Sequence, residues 1–156
     1  MKTAIIYYSR HHENTRKLLN AISAKHELRL IDAAQTRSCD LADYDLIGFA
    51  SGIYYSKFHK SVLQFAERNL PNDKAVFFIY TYGAEKDGYT RAIESVVLEK
   101  TAKIKGAFGC PGFNTFGPFK LIGGMAKGRP DNNDIANAVC SVSYTHLRAH
   151  ETLSDL

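Results

Sequence analysis

The segment "SRHHENT" (9–15) gathers Ser9, Asn14 and Thr15 at a polar turn between a strand pattern and a helix pattern. Hydroxyl and amide donors there join the unpaired backbone amides of a helix N-terminus. Those amides carry an effective charge of roughly +0.5, so the turn suits an anion, and a phosphate is the usual occupant. Arg10, His11 and His12 add positive charge or ring donors. Plain capping of the helix by Ser9 or Asn14 is the competing use. The adjacent histidines suit a surface better than a metal pair, because "HHE" lacks metal-ligand spacing.

Two further turns carry chemistry of a related kind. "ASGIYYSKFHKSV" (50–62) opens on Ser51 and Gly52, a permissive backbone, and then offers the flat faces of Tyr54, Tyr55 and Phe58 to an aromatic ligand. Covering the sheet edge is the other use of these rings, Phe58 above all. His59 and Lys60 read as the start of the next helix. "YTYGAEKDG" (80–88) sets Thr81 and Tyr82 beside Gly83, where backbone amides can approach a planar ring. The glycine-rich stretch "CPGFNTFGPFKLIGGMAKGRP" (110–130) carries Phe113, Phe116 and Phe119 and fits neither helix nor strand periodicity. A structureless loop beyond ~12–15 residues is usually functional or disordered, so a lid or a docking surface is expected, with plain packing as the alternative.

The elements that must position these turns alternate. "TAIIYY" (3–8), "DLIGFAS" (45–51) and "KAVFFIY" (74–80) are apolar runs suited to strands buried on both faces, and "ELRLID" (27–32) alternates like an edge strand. "GAFGC" (106–110) makes a fifth. Between them, Leu18, Leu19, Ala21 and Ile22, then Val62, Leu63, Ala66 and Leu70, then Ala92, Ile93, Val96 and Val97 recur at helical spacing. Pro130 and Asp131 suit the first turn and cap of a last helix. Strands interleaved with helices imply a parallel sheet covered on both faces, with ligands beyond the carboxyl ends of its strands.

The first turn resembles that of the flavodoxin family, whose Ser/Thr-x-Ser/Thr-Gly-x-Thr motif wraps the phosphate of FMN. "SRHHENT" keeps the serine, the Asn-Thr ending and the place between strand and helix. It is one residue longer, with histidines for the middle hydroxyl and Glu13 for the glycine. "GF...GPFKLIGG" is similar to the region after the fifth strand in small flavodoxin-like proteins. The resemblance covers residues 1–137. It implies an α/β fold with a five-stranded doubly wound parallel sheet, order 2-1-3-4-5, in three α/β/α layers. It implies FMN as cofactor, with Ser9, His11, His12, Asn14 and Thr15 at the phosphate. Ser51, Gly52, Ile53, Tyr54 and Tyr55, then Thr81, Tyr82, Gly83 and Phe113, would meet the rest of the molecule. The expected function is electron transfer between a reductase and an acceptor protein. An FMN-dependent NAD(P)H:quinone reductase and a flavin-free binding module are the alternatives. No GxGxxG nicotinamide-binding motif is present. A phosphate beside His11 or His12 would favour their protonated forms and tighten FMN binding in mild acid.

The remaining sequence sets limits. A chain of 156 residues suits one domain, with residues 1–140 as its expected extent. Residues 141–156, "SVSYTHLRAHETLSDL", are expected to fall outside the amphipathic pattern of a closing helix, as a tail foreign to the family. The net charge of +4 comes from scattered residues, which speaks against a nucleic-acid partner and departs from acidic electron carriers. No apolar run reaches the ~20 residues of a membrane span or supplies a signal-peptide core, so a cytoplasmic protein is expected. Cys39, Cys110 and Cys140 are too scattered for a disulfide framework or a zinc site.

Overall fold

Strand β1 (Thr3–Tyr8) is buried from Thr3 to Tyr7, as an apolar β-branched run becomes at the centre of a sheet. The computed structural model describes residues 1–10, 13–113 and 127–154. After β1 come α1 (Asn14–Lys25), β2 (Arg29–Asp32), β3 (Leu46–Tyr54), β4 (Lys57–Phe58) and α2 (Lys60–Asn69). β5 (Ala75–Tyr82), α3 (Arg91–Glu99), β6 (Lys103–Pro111) and α4 (Asn132–Ser154) complete the order. Five strands pair in parallel in the order β2-β1-β3-β5-β6, and β4 folds back antiparallel on β3. Apart from the short β4, this is the doubly wound sheet expected from the sequence.

Alternation along the central strands sends successive side chains to opposite faces, and each face acquires its own helices. Ile5 and Phe77 pack with Leu18, Leu19 and Ile22 of α1 and with Ala138 and Val142 of α4. Ile6 and Phe78, one residue further along, pack with Val62 and Phe65 of α2 and with Ile93 and Val97 of α3. Gly48 is required where β3 passes β5, because a Cβ there would lie 2.4 Å from the Phe77 ring.

Three features differ from the sequence expectations. β3 and β5 run further than their apolar stretches, since the parallel ladder continues through Gly52 opposite Thr81. Gly52, Ile53, Tyr54, Thr81 and Tyr82 therefore sit on rigid strand ends rather than in loops. Second, residues 141–154 continue α4, with Ala138, Val142, Thr145 and Ala149 buried along one side. The inward residues are mostly small, so their periodicity is faint in sequence. Thr145 instead fills the space left by Gly106, where a Cβ would meet its Oγ1 at 2.5 Å.

Third, Pro130 precedes the helix cap rather than entering the first turn, and its bond from Arg129 is cis. Asp131 is the cap. Its carboxylate accepts from the Asp134 amide at 2.9 Å, and Asp134 returns the bond by accepting from the Asp131 amide at 2.8 Å. The Arg129 fork closes on the same Asp134 carboxylate at 2.5 and 2.7 Å. This hydrogen bond, more than the backbone one, holds the Asp134 carboxyl below its usual range despite burial. Folding thus stabilises the ionised form: the contribution is present above the unfolded pKa of about 3.9 and is lost as pH falls through the lower folded value. Asp134→Asn is expected to cost about 1–2 kcal/mol at neutral pH. In urea unfolding, the gap between wild type and variant should close in strong acid; a gap that persists there refutes the assignment.

Candidate functional site

The carboxyl ends of β1, β3, β5 and β6 surround a cavity of about 450 Å³, a size typical of small-molecule sites. Ser9, Asn14 and Thr15 line it from the first turn, and Gly52, Ile53, Tyr54 and Tyr55 from the end of β3. Thr81, Tyr82 and Gly83 line it from β5, and Phe113 from beyond β6. Sequence reasoning named all of these. His11 and His12 lie outside the described residues, as do Phe116 and Phe119.

Ser51 is the exception among the described candidates. It is buried in β3, accepting from the His59 amide at 3.0 Å and donating to the Gly52 carbonyl at 2.5 Å, so its hydroxyl is committed to the protein. Phe58 likewise belongs to the core, fully buried and near Phe78 and Tyr80. Two lining residues fell outside the predicted set, Arg10 and Gly112. Arg10 was visible as a charge in the turn. Gly112 had only its place after a strand as a signal.

The first turn divides its work among its residues. Ser9 caps α1, accepting from the Arg16 amide at 3.1 Å. Glu13 occupies the cap position itself in a left-handed conformation (φ 53°), and its side chain makes no cap hydrogen bond. Among the described residues, nothing accepts from the Asn14 and Thr15 amides of the first helical turn. Asn14 Nδ2 donates to the Phe113 carbonyl at 2.8 Å, which leaves the buried Oδ1 without a partner among the described residues. Gly112 permits that bond, since a Cβ there would lie 2.6 Å from Asn14 Nδ2.

Thr15 and Thr81 share a hydrogen bond between their buried hydroxyls at 2.9 Å, joining the first and third turns. One proton serves the pair, so the other hydroxyl keeps a proton for a ligand. Arg10 stands at the rim, bound to Asp32 at 3.0 Å and 5.2 Å above the Tyr8 ring.

Aromatic walls complete the cavity. Tyr54 meets Tyr8 and His59 edge-on at 5.6 and 5.1 Å between centroids. Tyr82 stacks on Tyr89 at 5.7 Å, and Tyr89 in turn donates to the Ala84 carbonyl. Burial, with Glu85 adding to it, raises the Tyr82 phenol above its ordinary value, so it stays protonated at neutral pH. Tyr55 and Ser56 form the two-residue turn between β3 and β4, both at positive φ (52° and 67°). Such a turn favours Asn-Gly, and a non-glycine residue in this region is strained by roughly 1–2 kcal/mol. It leaves Tyr55 at the cavity mouth, 89% exposed.

Cys110 lies near the end of β6, and desolvation pushes its thiol up to about 12. The thiolate is the reactive form. Iodoacetamide at neutral pH is therefore expected to alkylate the exposed Cys140 and spare Cys110 in the folded protein. Mass mapping that finds Cys110 modified first would contradict this.

A family model described as a flavodoxin domain matches residues 4–112. The chain belongs to the flavodoxin family. The matched span of this flavodoxin domain runs from β1 past the end of β6 and includes each strand end that borders the cavity. An uncharacterized protein of Methanocaldococcus jannaschii is 35% identical over 140 residues, covering 88% of this chain and 93% of its own. In fold, the domain is similar to a flavodoxin from the domain Archaea, with TM-score 0.63, 14% identity and coverage of 94% and 97% of the two chains. It is also similar to part of rubredoxin oxygen:oxidoreductase from Desulfovibrio gigas, with TM-score 0.70 and 13% identity over 97% of this chain and 37% of that one. Among the described residues, no helix of the flavodoxin domain is long and apolar enough to cross a membrane.

Proposed function

We propose that this flavodoxin domain binds FMN and transfers electrons between a reductase and an acceptor protein. The observation that carries the reading is the convergence of a helix N-terminus and two aromatic strand ends on one cavity. The donor set suits the cofactor's parts. The Asn14 and Thr15 amides and the spare hydroxyl of the Thr15–Thr81 pair suit a phosphate, with Arg10 supplying positive charge nearby. Asn14 Oδ1, a buried acceptor without a partner among the described residues, suits a hydroxyl of the ribityl chain. Tyr54 and Tyr82 offer faces to the ring. Glu13 is exposed, where water and salt weaken its repulsion of a phosphate.

Bound FMN would supply the redox chemistry, accepting and releasing electrons at its ring. The chain's own residues bind, orient and partly desolvate it, and no side chain need act as nucleophile or general base. The net charge of +4 is the feature that favours the second reading, an FMN enzyme that reduces small quinones with NAD(P)H.

The test begins with purification in the absence of added flavin, a visible spectrum and the mass of any released cofactor. A flavin spectrum with released FMN is expected. Colourless protein that takes up no FMN would overturn the proposal in favour of a flavin-free binding module. Steady-state turnover of NADPH with a quinone would move the assignment from carrier to enzyme.

A further inference from the structure

His59 lies immediately after β4 and caps α2 with its ring. Its Nδ1 accepts from the Ser61 amide at 3.1 Å and lies 2.8 Å from the Ser61 hydroxyl. Accepting from an amide requires a lone pair on Nδ1, so the ring is neutral with its proton on Nε2. The same ring stacks on Tyr8 at 3.6 Å between centroids and 6° between planes. Tyr54 stands edge-on to both partners of that stack, at 79° to His59 and 73° to Tyr8. From behind, Ser51 holds the His59 amide. The cavity wall at Tyr54 is therefore braced by a histidine that the proposed function leaves unused.

We infer that neutral His59 is a positioning residue for Tyr54 and thereby couples flavin binding to pH, an inference that rests on the proposed FMN site. Protonation would turn Nδ1 from acceptor to donor, aimed at the Ser61 N–H it now serves. It would also place a cation at the N-terminus of α2, against the helix dipole. The charged groups acting on the ring among the described residues are Lys60 of α2 and Arg10 of the first turn, both cations. The rings of Tyr8 and Tyr54 face it from β1 and β3, and the Ser61 hydroxyl faces it from α2. Burial first, then these two cations, lower its pKa.

The unfolded chain therefore binds more protons between the lowered value and about 6.5, and stability falls as pH drops through that window. A protonated ring must leave its cap, and Tyr54 then loses its edge contact to His59 and keeps only the one to Tyr8. If flavin stacks on the braced Tyr54, it binds the neutral form better, and by reciprocity acid weakens flavin binding through this residue.

His59→Asn provides the comparison, because asparagine caps a helix without titrating in this range. Wild type and variant carry the same His11 and His12, so their ratio isolates His59. The wild-type to H59N ratio of FMN dissociation constants is expected to rise about fivefold between about pH 7.5 and about pH 5, the size of a lost cap. A flat ratio overturns the coupling. A second measurement needs no flavin: NMR of the flavin-free protein follows the His59 ring, the Ser61 amide and the Tyr54 ring through the same range. One shared midpoint below about 6.5 is expected. Tyr54 signals indifferent to His59 overturn the positioning role. Shared titration in a protein that takes up no FMN supports the positioning role and overturns the proposed function instead.

Discussion

Replacing Tyr54 with alanine will weaken FMN binding roughly 30-fold, a loss of ~2 kcal/mol of aromatic stacking. The ring lines the cavity and is held at a steep angle by Tyr8 and His59, so its orientation is established before any ligand arrives. Little of that cost comes from ordering the ring on binding. Stability should change less than on losing Phe58, because Tyr54 is only half-buried whereas Phe58 is fully buried. Phe58→Ala reverses the pattern. Phe58 is fully buried beneath the hairpin, and its loss is expected to cost about 3–5 kcal/mol of stability. Fluorescence titration with FMN and urea unfolding of both variants separate the two effects. A change below about threefold for Tyr54→Ala would refute stacking on this wall. Tyr82→Ala carrying the loss instead would place the ring against β5.

A chain ended after Cys140 will lose about 4 kcal/mol or more of stability, a large share of the ~5–15 kcal/mol of a typical domain. Val142, Thr145 and Ala149 are each no more than 2% exposed, and they cover the outer side of β6 and the neighbouring sheet face. Burial of Val142 alone is worth about 1.5–3 kcal/mol. Further ties go with the same segment. His146 Nε2 lies 3.0 Å from Thr3 Oγ1 on β1, Ser143 Oγ lies 2.8 Å from His26 Nε2 beyond α1, and Arg148 donates to the Lys105 carbonyl at 2.7 Å. Urea midpoints of the full and shortened chains decide the matter. Equal midpoints would make residues 141–154 an appendage and leave the domain complete at 140.

Sequence by itself determined the alternation of strands and helices, the faces that the first three helices bury, and the turns that could meet a ligand. Each of these rests on short-range periodicity or on a turn between adjacent elements. Ile5 and Ile6 point to opposite faces because neighbouring strand residues must. Ser9, Asn14 and Thr15 meet the cavity because a helix begins there. Only the tertiary structure decided how the candidates divide their work. Ser51 and Gly52 are neighbours in sequence, yet Ser51 turns inward to hold His59 while Gly52 borders the cavity. Asn14 spends its amide on Phe113, 99 residues away, through a gap that Gly112 keeps open. In α4, Thr145 gains meaning from Gly106 and His146 from Thr3, and His59 gains its own from Tyr8 and Tyr54. Most of these pairings join positions far apart along the chain, and local periodicity carries no signal of which distant residue folding will bring alongside.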